Sequence, residues 1–132
     1  MEHIHYDVDE LETIRRGVFG AFAAVSAAKR GFLAGFREIE AAARVISAAP
    51  PAVRDLLDGA VIEPVSKHDE NFDAEVVPGV QAAVRIAAAK DPATAEQLRQ
   101  LILDGIGAVA EAYRGIDPAE QRAIDAIRAG LG

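Results

Sequence analysis

The chain contains no cysteine and no tryptophan. Without thiols it has no disulfide, no thiol nucleophile, no zinc–thiolate site and no iron–sulfur cluster. Aromatic residues are scarce at 5%, namely two Tyr and five Phe. The core must therefore be built mainly from Ala, Val, Ile and Leu. Long apolar runs are missing too. The longest, Gly17 to Ala28 (GVFGAFAAVSAA), falls short of the roughly 20 residues that span a bilayer, so no membrane span is expected. That run follows Arg15-Arg16, as in a twin-arginine export signal. The segment before it is acidic, however, and its apolar spacing begins ahead of the arginines, so it reads as a helix of a cytoplasmic protein.

The familiar catalytic patterns are also missing. There is no G-x-x-x-x-G-K-[ST], no H-E-x-x-H and no G-x-S-x-G. Two E-x-x-H motifs, as ferritin-like di-iron sites need on facing helices, do not occur. Serine is confined to Ser26, Ser47 and Ser66, and three histidines complete a thin catalytic inventory. No nucleophile stands beside an orienting base, so the sequence leans away from an enzyme.

What remains is 132 residues, the size of one domain with one core. Apolar residues make up 51%, and alanine, the best helix former, supplies about a fifth. Net charge is −7, which argues against nucleic acid or an anionic membrane as partner. The charge is unevenly spread. Residues 1–12 hold five acids and no Lys or Arg, whereas residues 13–54 hold seven bases against Glu38 and Glu40. That basic third could face an acidic partner or the chain's own acidic part.

Apolar spacing of three and four predicts an all-α, single-domain bundle over 1–132. About four main helices and one or two short ones are expected, with chain neighbours roughly antiparallel. Residues 1–8 read as an extended or mobile arm. Helix one starts after Asp7 or Asp9 and carries Leu11, Ile14, Val18, Phe22 and Val25 on its apolar stripe. Helix two, about 32–48, is expected to bury Phe32, Phe36, Ile39, Ala43 and Ile46. Pro50-Pro51 ends it, and Pro51 opens a short third helix. Residues 60–72 form the one long connection. Helix four begins near Asp73, with Val76, Val80, Val84 and Ala87 or Ala88 on one face and Pro78 in its first turn or at its true start. Asp91-Pro92 opens helix five and Asp117-Pro118 opens helix six.

The stretch Lys67–Glu75, KHDENFDAE, offers the most chemistry. Asp69, Asn71 and Asp73 fall at the first, third and fifth positions of a calcium loop. The sixth position, which needs glycine, is Ala74, and the twelfth, which needs a bidentate glutamate, is Val80. The stretch then reads as an acid-rich approach to a helix N-terminus. His3 and His5, two apart, would share a side of an extended arm. If the arm folded back, His3, His5, His68, Asp69 and Asp73 could form a mixed site for a divalent transition metal. Gly105-Ile106-Gly107-Ala108-Val109-Ala110 matches G-x-G-x-x-A, but helical spacing runs through it and no second strand follows. Its glycines, with Gly17, Gly20, Gly31 and Gly35, read as places where another helix approaches closely.

The run from Ile106 to Glu120, IGAVAEAYRGIDPAE, followed by AIDAIRAGLG, resembles the close of a tellurite-resistance TerB-like domain. The resemblance covers about 30 residues and implies an all-helical, stress-associated module. The family typically has Ala-Asp-Gly where this chain has Tyr113-Arg114-Gly115. Arg114 removes an acid, which weakens any acidic metal site the family implies. Glu120 is the one matching acid, and helix capping also accounts for it. Three functions follow as expectations: a non-enzymatic protein acting through a protein partner or a second copy, a metal-binding or metal-responsive protein, or a small-molecule binder or enzyme with a pocket between helices.

Overall fold

A computed structural model describes residues 5–27, 34–57, 72–111 and 118–131. Among these the chain forms six α-helices and no strand: α1 Val8–Ala27, α2 Ala34–Ala48, α3 Pro51–Leu57, α4 Phe72–Lys90, α5 Pro92–Glu111 and α6 Pro118–Leu131. This is the expected all-α bundle. Asp7 caps α1 and Asp91 stands before Pro92 at the head of α5, so the start signals are used where the sequence places them.

The most extensive packing is not between chain neighbours. It is α1 on α4, followed by α2 on α5 and α4 on α5. Lys90 reaches Glu10, while Gly17 lies against Gly79 and Ala83. Residue numbers therefore rise along α1 as they fall along α4, and the two helices run antiparallel. Phe22 meets Gly105, and Tyr6 stands by Asp91, so α1 and α5 run parallel. The tight Asp91 corner makes α4 and α5 antiparallel, as the short connection predicts. Helix α6 lies mainly on α4, and α2 meets α1 only slightly.

The core is aliphatic. Ile14, Val18, Ala21 and Phe22 from α1 meet Val76, Val80, Ala83 and Ala87 from α4 and Leu98, Leu101, Ile102 and Ile106 from α5. Ile124 and Ile127 close it from α6, and Val53, Leu56 and Leu57 from α3. Full burial of each large aliphatic side chain stabilises the fold by about 1.5–3 kcal/mol. Small residues let the helices approach. A Cβ on Gly17 would sit 2.6 Å from the Gly79 carbonyl oxygen and 2.8 Å from the Ala83 Cβ. One on Gly105 would sit 2.2 Å from the Phe22 ring.

Several assignments differ from expectation. Among the described residues, nothing lies within 4 Å of a Cβ placed on Gly20 or Gly107, so neither marks a close helix contact there. Gly31 lies outside the described residues. Ala43 of α2 is exposed, whereas Ala41 and Ala42 are buried and Val45 and Ile46 half-buried. In an alanine-rich helix the small methyl says little about which side faces in, and packing against α5 rotates the face by one residue. Ala83 takes the core position expected of Val84, which is half-buried, and of Ala87 and Ala88 it is Ala87 that is buried. Pro78 lies beyond the first turn of α4, because the helix already begins at Phe72.

Candidate functional site

The densest polar cluster among the described residues is where the N-terminal arm meets the α4–α5 corner. It starts from the cap of α1. The Asp7 amide donates to Glu10 Oε1 at 3.0 Å, and the Glu10 amide donates to Asp7 Oδ1 at 2.8 Å. This is a reciprocal capping box with Asp in the usual Ser/Thr position. It satisfies two backbone donors at once and fixes the direction in which residues 5–7 leave the helix.

Lys90 then joins the arm to α4. Its Nζ lies 3.1 Å from the same Glu10 Oε1 and 5.2 Å from the centre of the Tyr6 ring. The Lys90 and Glu10 side chains are only 26% and 27% exposed, so water screens this pair less than a surface one. The Tyr6 ring is half-buried against the core. Its hydroxyl is shut off from solvent with no hydrogen-bond partner among the described residues. Burial pushes the phenol above its ordinary value of 10.0, and the charges of Asp91 and then Glu10 add to the shift. The phenol therefore stays protonated near neutral pH and is a poor nucleophile or base.

Across the corner, Thr94 Oγ1 donates to Asp91 Oδ2 at 2.7 Å. Thr94 is the one buried polar residue among those described, and this bond satisfies it. Elsewhere Arg15 Nε donates to the Leu56 carbonyl at 2.9 Å, tying α1 to an acceptor in the last turn of α3. Gln81 Nε2 donates to the Gly130 carbonyl at 3.2 Å and ties α4 to the end of α6. Each of these bonds caps a helix or joins two.

Of the residues singled out for a metal, only His5 has a described side chain. His5 is exposed, beside Tyr6 and thus at the Lys90 end of α4. Asp73 belongs to the opposite end of α4, roughly 25 Å of helix rise away. The structure does not bring these two together. His3, His68 and Asp69 lie outside the described residues, as does the side chain of Asp73. Glu120 belongs to α6, with its side chain likewise outside. Among the described residues no three His, Asp or Glu side chains are grouped to hold a metal ion. No helix among them is long and apolar enough to cross a membrane.

Sequence reasoning missed the corner. The signals were present: an Asp-x-x-Glu pair at 7 and 10, an aromatic at position 6 of a polar arm, and a Lys-Asp junction between two helices. The first was read only at 117 and 120, and nothing local predicts that Lys90 meets Glu10 eighty residues away. No protein-family model matches this chain, and neither a curated protein nor a solved structure matches it.

Proposed function

We propose that this is a small, non-enzymatic, cytoplasmic helical module that acts through protein–protein contact, in the manner of the TerB-like stress-associated domains its C-terminal third resembles. The observation that carries this reading is the use made of the polar side chains. Arg15, Gln81, Lys90 and Asp91 hold one element to another or cap a helix, and Thr94 is the one buried polar residue among those described. Chemistry of this kind positions helices and leaves their outer faces to do the work. On those faces the basic third of the chain presents Arg16, Arg44 and Arg54 to solvent. Exposed guanidinium groups suit carboxylates of an acidic protein surface.

The test is cross-linking in cells with mass-spectrometric mapping, beside sedimentation velocity of the pure protein. The wild type should cross-link through α1–α3 to a defined protein or to a second copy. The triple variant Arg16→Glu, Arg44→Glu, Arg54→Glu should keep its helical circular dichroism and lose that product about tenfold or more. A strictly monomeric protein whose cross-linking is unchanged by the triple variant would end this reading.

A further inference from the structure

We infer that residues 5–7 form a charge-held strap that leaves the α4–α5 corner as a unit while the bundle stays folded. Two features hold the strap down, and one works against it. The Tyr6 ring packs on the core under the Lys90 ammonium, and Glu10 Oε1 accepts from both Lys90 Nζ and the Asp7 amide. One carboxylate oxygen thus joins the arm's cap to α4. Against this, docking closes the Tyr6 hydroxyl off from water without giving it a partner among the described residues. The unpaired buried hydroxyl and the ordering of residues 5–7 oppose docking about as strongly as the ring's burial, a cation–π contact and a partly screened ion pair favour it. The docked and released arms are therefore close in free energy.

Tyr6 packs at the edge of the core and is not one of its buried members. Ile14, Val18 and Phe22 anchor α1 to α4 and α5 further along. The charged groups facing Tyr6 are Glu10 from α1, Lys90 from α4 and Asp91 at the head of α5. Lys90 is the only cation of the three, so its pairing with Glu10 is the contact that salt weakens. The strap is thus an ionic-strength-sensitive latch, docked in dilute buffer and released as salt rises. Release frees Tyr6 and loosens the first turn of α1.

Amide hydrogen exchange reads the latch directly. The Glu10 amide donates to Asp7 Oδ1 and the Leu11 amide to the Asp7 carbonyl, so both report on the docked arm. Amides of Leu98 and Ile102 report on the bundle. Lys90→Met keeps the apolar stem, removes the charge, and should speed exchange at Glu10 and Leu11 about fivefold. Tyr6→Phe removes the unpaired hydroxyl and should slow the same amides about fivefold. Raising salt should speed them in the wild type and leave Lys90→Met unmoved, while exchange at Leu98 and Ile102 speeds up in none of these cases. Exchange at Glu10 and Leu11 that is unchanged or faster in Tyr6→Phe, or unchanged or slower in Lys90→Met, would overturn the proposal. So would core amides that move in step with the arm, or a salt response that persists in Lys90→Met.

Discussion

Gly17 lies where α1 and α4 press backbone against backbone, and a single methyl there decides how closely the two can run. A Cβ would meet the Gly79 carbonyl oxygen and the Ala83 Cβ, neither of which is the free end of a flexible side chain. The helices would have to part. Gly17→Ala gains about 1 kcal/mol of helix propensity and loses more than that to overpacking of the longest seam in the bundle. We expect a net loss of about 1–3 kcal/mol in urea unfolding. Gly20, one turn further along α1, is the internal control, since a Cβ there meets nothing within 4 Å among the described residues. Gly20→Ala should gain about 0.5–1 kcal/mol. If the two substitutions shift the urea midpoint in the same direction, Gly17 is not a packing glycine. Both positions look alike in the sequence, as glycines in an apolar run. Spacing reveals that a helix carries small residues, but only the partner helix reveals which of them it touches.

At the scale of a helix, α4 carries the clearest conflict between local preference and tertiary packing. Pro78 sits inside it, where the ring has no N–H to donate to the Ala74 carbonyl and crowds the preceding turn. It is exposed and followed by Gly79, the residue that α1 contacts. Replacing Pro78 with Ala restores the donor, fills no buried space, and should raise stability by about 1–3 kcal/mol. The expected result is a higher urea midpoint at unchanged slope. A lower midpoint would mean that α1 packs on α4 only because the proline shapes it there. The existence and order of the helices were legible because caps and prolines are local: Asp91-Pro92 opens α5 and Pro51 opens α3, as their chemistry dictates. Faces were less legible where alanine dominates. In α1 the stripe of Ile14, Val18 and Phe22 reads correctly because these side chains are large. In α2 the choice among Ala41, Ala42 and Ala43 carries almost no transfer free energy, and contact with α5 makes it.

For the molecule as a whole, long-range contacts account for what the sequence hides. The α4–α5 corner joins Tyr6 and Glu10 to Lys90 and Asp91, and no periodicity or motif links positions so far apart. The acid-rich stretch 67–75 drew attention because its carboxylates are adjacent in sequence. The corner, by contrast, is assembled from the ends of helices of about 20 residues. Salt acts on stability through the charge of the whole molecule. Net charge is −7, and a compact state holding that charge repels itself. The ion pairs that salt would weaken are mostly exposed, such as Glu12–Arg16 with Arg16 at 79%, and such pairs contribute little. Lys90–Glu10 is the less exposed exception, but it holds the strap rather than the core. Screening should therefore relieve more repulsion than it removes attraction. Between about 20 mM and 500 mM sodium chloride the Debye length falls from roughly 20 Å to 4 Å, shorter than the spacing of most surface charges. The thermal midpoint should rise by about 2–6 °C over that range, following the relation between free energy and midpoint for a domain of this size. Exchange at Glu10 and Leu11 should meanwhile accelerate, so the bundle tightens as the strap lets go. A midpoint that falls with salt would show that attractive pairs outweigh net repulsion and would count against the separation of strap from core.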